Sequence, residues 1–172
     1  DCSVEVKTLV VASPTRGDGK TSLACNLALA LAEASRRVLL VDLSARRPSV
    51  EKCFRLEPSE GLVEVLHGDC SPDQVVQLTN FENLCVMGPG LDPEDLSGRL
   101  ASREMLRFME WAEEEFDHVI MDTPPALLMS DVKLLAPLVD GVVVVVGVGI
   151  SSLGMVRRCL REMEVVGANM VG

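Results

Sequence analysis

The run Ser13-Pro-Thr-Arg-Gly-Asp-Gly-Lys-Thr-Ser22 constrains this chain more than any other segment. It follows a short apolar run, Thr8–Ala12, and precedes a long apolar helical pattern, Leu23–Ala34. A strand, a tight glycine-bearing loop ending in Gly-Lys-Thr, and then a helix is the layout of a phosphate-binding loop. Gly17 and Gly19 admit backbone conformations that a Cβ would block. The loop's N–H groups and the helix N-terminus together form a positive concavity suited to phosphate. Lys20 is then expected to reach the β- and γ-phosphates, and the Thr21 hydroxyl to hold Mg²⁺. The expected nucleotide-binding set is Arg16, Gly17, Asp18, Gly19, Lys20, Thr21 and Ser22. The spacing departs from the pattern at Pro14, where a glycine is usual.

Composition bounds what surrounds this loop. A chain of 172 residues with 48% apolar and 24% charged residues reads as one globular domain, 1–172, cut from a longer polypeptide. No apolar run approaches the ~20 residues that a membrane span needs, so no membrane insertion is expected. A net charge of −10 argues against a broad nucleic-acid footprint. Cysteines at 2, 25, 53, 70, 85 and 159 form no C-x-x-C pair, and His67 and His118 are the two histidines. A zinc site is not expected, and Cys25, Cys85 and Cys159 read as small core residues.

Strand-like runs alternate with helical patterns. The strand candidates are Thr8–Ser13, Val38–Asp42, Leu84–Met87, His118–Asp122, Gly141–Val148 and Ala168–Val171. Several are continuous Val, Ile and Leu runs, which suit a parallel sheet buried on both faces. The longer helix candidates are Lys20–Ala34, Arg99–Phe116, Ser130–Ala136 and Ser152–Val165, with shorter ones at Ser49–Phe54, Leu62–His67 and Pro72–Gln77. The order predicts a doubly wound α/β fold, a mostly parallel sheet with helices on both faces, with ligands beyond the C-terminal strand ends.

Two apolar runs end in aspartate at that side: Val38-Leu-Leu-Val-Asp42 and Val119-Ile-Met-Asp122. Asp122 reads as the Walker B acid that binds Mg²⁺. Asp42 reads as a second metal ligand or as the base that accepts a proton from the nucleophile. Lys20, Asp42 and Asp122 are the expected catalytic set, and Thr21, Asp42 and Asp122 the expected metal set. The alternative for each aspartate is a strand terminator or helix cap. Asp131 reads first as a cap of the Ser130 helix. The acidic run Glu110–Glu115 reads as a solvated helix face.

Three marks in order resemble the ATPase domain of bacterial tyrosine kinases, the capsule and exopolysaccharide chain-length regulators within the Min/Par-type P-loop ATPases. The first is the loop followed by Asn26-Leu-Ala28. The second is Asp42-Leu-Ser-Ala-Arg46-Arg-Pro48, similar to that family's D-x-D-x-R-[RK]-P. The third is Asp122-Thr-Pro-Pro125, its D-T-P-P. Gly61–Gly68 and Asp140–Val146 extend the likeness over nearly the whole chain. The resemblance implies an ATP/ADP- and Mg²⁺-binding tyrosine autokinase domain, cytoplasmic and held at the inner face of the membrane. It also implies a polysaccharide-export membrane adaptor, fused or separate, and a possible homo-oligomer.

The chain departs from that family's pattern in ways that matter chemically. Ser44 stands at the second acidic position and brings no charge to Mg²⁺. There is no tyrosine, so the family's Tyr-rich autophosphorylation cluster is not in this sequence. Thr15 occupies the place of the partition branch's extra signature lysine, which favours the polysaccharide branch. The rival readings are a catalytically weak, nucleotide-dependent interaction module and a partition-type ATPase.

Overall fold

The apolar runs assemble into a six-stranded sheet of order β3-β4-β2-β5-β1-β6. The structure is a computed structural model that describes residues 6–172; Asp1 and Cys2 lie outside the described residues. The strands are β1 Thr8–Ala12, β2 Val38–Asp42, β3 Gln77–Leu78, β4 Leu84–Met87, β5 His118–Asp122 and β6 Gly141–Val144. All neighbours pair in parallel except β3, which runs antiparallel to β4 at the edge.

Alternation along each buried strand sends side chains to two cores. On one face Val11, Val38, Leu40, Leu84, Val86 and Ile120 meet α1 (Lys20–Glu33) and the residues of and just after α2 (Val50–Cys53). Helix α1 presents Ala24, Ala28 and Ala32, four residues apart, so small side chains let it lie close on the sheet. On the other face Val10, Leu39, Val41, Val119 and Met121 meet the remaining helices. These are α3 (Leu62–His67), α5 (Leu96–Arg99), α6 (Arg103–Glu115), α7 (Asp131–Leu135) and α8 (Leu153–Val165). A short α4, Pro72–Val75, leads into β3. Leu39 and Leu40 point to opposite cores and are both fully buried, each contributing about 1.5–3 kcal/mol.

The expected strands β2, β4 and β5 are found with the predicted bounds. Other elements differ for identifiable reasons. The run expected as Gly141–Val148 is strand only to Val144, because the Gly147 N–H leaves the sheet for the Asp18 carboxylate. The helix expected over Arg99–Phe116 is two helices, with Ser102 capping the second through a Met105 N–H···Oγ bond of 3.1 Å. Ala168–Val171 contributes one bridge, Met170 beside Val142. Glu110 and Glu113–Glu115 are exposed on α6, the solvated face that was expected. Cys25 and Cys159 are buried as core residues, whereas Cys85 is half-buried. His67 faces Asp69 and Asp95 at 3.7 and 3.6 Å.

Candidate nucleotide and metal site

The sheet order puts β1 between β5 and β6, so the loop after β1 opens between two other strand ends. Gly17 and Gly19 take φ of 83° and 98°, left-handed values that favour glycine, and Gly19 forms the N-cap of α1. The first-turn N–H groups of α1 have no intrahelical acceptor and face the loop. Arg16, Gly17, Gly19 and Ser22 are exposed around it.

Lys20 is nearly buried. Its Nζ donates to Ser13 Oγ at 2.8 Å and approaches the Thr15 carbonyl at 3.5 Å. Burial lowers the Lys20 pKa, and the nearby carboxylates of Asp122 and Asp18 oppose that shift. The ammonium is thus held inside the loop by neutral acceptors that a phosphate oxygen would outcompete.

Asp18, expected within the nucleotide-binding loop, has a side chain that ties that loop down. Its Oδ2 accepts from the Thr15 N–H and hydroxyl at 2.9 and 3.0 Å, and from Ser151 Oγ at 2.8 Å. Its Oδ1 accepts from the Gly147 N–H at 2.9 Å and from Ser151 Oγ at 2.9 Å. Burial pushes this carboxyl up, but the donors around it win and hold it below the usual range. A Cβ on Gly147 would sit 3.1 Å from Asp18 Cα and 2.8 Å from Ile150 Cδ1, so glycine permits the approach. Asp18 therefore clasps the loop to the segment after β6. On the other side Ala126 N–H donates to the Ser13 carbonyl at 2.9 Å.

The β2–β5 register pairs Asp42 with Asp122, so two carboxylates end adjacent strands side by side. Asp122 is fully buried, and its Oδ2 accepts from the Thr21 hydroxyl at 2.6 Å. Its Oδ1 is buried without a hydrogen-bond partner. Burial pushes the Asp122 pKa up to about 7; the Thr21 hydroxyl bond opposes this, the Asp42 charge adds to it, and Lys20 opposes it. An orphaned carboxylate oxygen beside a threonine hydroxyl is a donor set suited to a hard divalent cation. Among the described residues no cluster of three His, Cys, Asp or Glu side chains could hold a metal alone. Mg²⁺ keeps waters and takes further ligands from phosphates, so one carboxylate and one hydroxyl are a sufficient protein share for it.

The carboxylate of Asp42, expected as a base or second metal ligand, accepts from three backbone N–H groups. Its Oδ1 accepts from the Ser44 N–H at 2.8 Å, and its Oδ2 from the Ser49 and Val50 N–H groups at 2.8 and 3.0 Å. Both oxygens accept from the backbone, so Asp42 shapes loop 43–49 and caps α2. The reading as a cap, offered for either aspartate, describes Asp42 and not Asp122. For Asp131 the cap reading fails differently: it is the first residue of α7 and its Oδ2 accepts from Ser97 Oγ at 2.9 Å.

Sequence reasoning missed Ser13, Ser49 and Ser151. Ser49 Oγ lies 3.4 Å from Thr21 Oγ1. Each serine is a common loop residue, and only Ser13, at the mouth of the loop, carried a positional signal.

Comparison with known proteins decides the family. A sequence model of the AAA_31 family, described as an AAA domain, matches residues 6–170. The tyrosine-protein kinase CpsD of Streptococcus agalactiae is 30% identical over 98% of this chain and 74% of its own length. The chain belongs to the bacterial tyrosine-kinase family of P-loop ATPases. Tyrosine-protein kinase YwqD of Bacillus subtilis (strain 168) is 36% identical over 84% of this chain. The solved kinase domain of Escherichia coli tyrosine kinase ETK superposes with a TM-score of 0.93 at 29% identity, covering 99% of this chain and 67% of that one. This member of the bacterial tyrosine-kinase family spans 61% of the length of YwqD and 17% of the Acinetobacter johnsonii kinase ptk. Among the described residues no helix is long and apolar enough to cross a membrane.

Proposed function

We propose that this chain is the ATP·Mg²⁺-binding domain of a bacterial tyrosine autokinase that regulates exopolysaccharide or capsule export. One observation carries the reading: the buried Asp122–Thr21 pair, with its free carboxylate oxygen, lies within electrostatic reach of Lys20 and at the end of a glycine-bearing loop. Lys20 exchanges its Ser13 bond for a β- or γ-phosphate oxygen. The loop and first-turn N–H groups orient the phosphates. Thr21 and Asp122 would hold Mg²⁺, which when bound neutralises charge on the transferring phosphoryl group. Asp42 adds negative charge next to that pair while its oxygens keep loop 43–49 in shape. Arg16, exposed on the loop, adds positive charge at the phosphate entrance.

The acceptor is a tyrosine outside these residues, because the sequence contains none. The family resemblance supports a cytoplasmic site at the inner membrane face and a membrane adaptor for polysaccharide export. Calorimetric Mg·ATP binding beside a phosphate-release assay tests the reading. Wild type should bind and turn over ATP, and Lys20→Met and Asp122→Asn should abolish turnover. Equal activity in all three proteins overturns it.

A second reading keeps nucleotide binding and drops efficient catalysis. Ser44 in place of an acid leaves Asp42, which already accepts from three backbone N–H groups, as the one carboxylate on β2 and its loop. Tight Mg·ATP binding without phosphate release would favour this interaction module.

A further inference from the structure

A solvent-open hollow of about 460 Å³ lies between α4 and the C-terminal end of α6, lined by Asp73, Val76, Trp111, Glu115 and Phe116. It is remote from the nucleotide loop. Phe116 precedes β5, whereas the loop lies beyond the C-terminal strand ends; β5, five residues and about 16 Å long, separates the two.

The hollow is aromatic within and anionic at its rim. Trp111 is half-buried, and its ring packs 5.9 Å from Phe108 and 5.8 Å from Phe116, centroid to centroid. Asp73 and Glu115 are exposed, and among the described residues neither carboxylate forms an ion pair. No Lys or Arg lines the hollow. The end of α6 adds to this imbalance. A helix C-terminus carries partial negative charge and favours cations in its last turn. The last turn of α6 instead holds Glu113, Glu114 and Glu115, all exposed, and no basic residue. A cation from outside the chain would relieve that repulsion.

An indole ring flanked by carboxylates is the chemistry that holds a guanidinium, which stacks on an aromatic face and donates to carboxylates from its edge. So open a hollow would leave a small molecule largely in water, whereas an extended peptide can span it and bury one side chain at its centre. The net charge of −10 favours a basic partner over another copy of this chain.

We infer that the hollow between α4 and α6 docks a basic segment of a partner protein, with an arginine side chain against Trp111 and between Asp73 and Glu115. The surface is separate from the nucleotide site, so Lys20→Met should leave it intact.

Trp111 is the single tryptophan, so its fluorescence reads the hollow directly. A blocked tetra-arginine peptide at low salt should change that emission saturably, and its neutral citrulline counterpart should not. Asp73→Asn and Glu115→Gln should each weaken binding by about two- to fivefold, the scale of one exposed ion pair. Glu57→Gln and Glu94→Gln remove the same charge from exposed positions elsewhere and should leave the affinity unchanged. In calorimetry Trp111→Leu should weaken binding by about tenfold. Equal losses in all four charge variants would mean that the peptide reads only net charge, which overturns the inference. So does binding seen by calorimetry without a change in Trp111 emission, or no binding at all. The four charge variants alter exposed side chains, so they decide the matter even if Trp111→Leu folds poorly. Sedimentation gives the remaining outcome: self-association of wild type that Glu115→Gln abolishes would make a second copy the occupant and overturn the assignment to a basic partner.

Discussion

Replacing Asp122 by asparagine should stabilise the nucleotide-free protein while removing the carboxylate proposed to hold Mg²⁺. In the folded chain the Asp122 carboxyl titrates at about 7, against an ordinary value of 3.8. The folded state therefore holds the proton more tightly than the unfolded state. The sign follows from linkage: this group's effect is neutral below about pH 4, and stability falls as pH rises toward about 7. Above that pH both states are ionised, and the folded state bears a cost of about 4 kcal/mol. Water entry and relaxation reduce that figure, and asparagine forfeits the charge on the Thr21 bond. The pH dependence is the cleaner quantity. Between pH 5 and 8 wild type should lose about 2–3 kcal/mol relative to Asp122→Asn. For a chain of this size that corresponds to about 5–10 °C in relative melting temperature. Urea and thermal unfolding of both proteins, without nucleotide or metal, across that range measure the difference. Excess Mg²⁺ and ADP should remove the wild-type penalty and leave the variant unchanged. Parallel pH profiles for the two proteins would refute the reasoning, because the Asp122 carboxyl would then not be a buried, incompletely satisfied charge.

The remaining expectations concern other parts of the same architecture. Lys20→Met should weaken Mg·ATP binding by about tenfold or more in calorimetry and leave the melting temperature close to wild type, because Lys20 now bonds only neutral acceptors. Asp18→Ala should cost about 1–3 kcal/mol in urea unfolding and speed hydrogen exchange at Gly147, since the N–H groups of Thr15 and Gly147 lose their acceptor. Ser44→Asp should raise phosphate release if the missing acid limits turnover; an unchanged rate would place the limit elsewhere. Phe108→Ala removes a ring that is 1% exposed beneath α6 and should cost about 3–5 kcal/mol in chemical unfolding.

Local chemistry made a large part of this protein legible. Val38–Asp42 and His118–Asp122 are continuous apolar runs ending in a carboxylate, and a strand buried on both faces leaves little freedom in where such a run stops. Gly17, Gly19, Lys20 and Thr21 lie next to one another in the chain, so their loop could be read before any long-range contact was known. The edge strand Gln77–Leu78 was not legible: it is two residues long, and its Gln77 amide is fixed by Glu51 at 3.0 Å, 26 positions away.

The sequence by itself determined the strand–loop–helix cradle, the alternating α/β order and the aspartates at two strand ends. Tertiary structure decided what each carboxylate does. Register places Asp42 and Asp122 as neighbours, yet backbone donors satisfy both oxygens of Asp42 and leave one oxygen of Asp122 bare. The Asp18 carboxylate, inside the glycine-bearing loop, is a clasp because the chain after β6 returns to it with the Gly147 N–H and the Ser151 hydroxyl. A carboxylate's chemistry depends on which donors reach it and how much water remains. Both are set by groups distant in sequence, and only the folded chain brings them together.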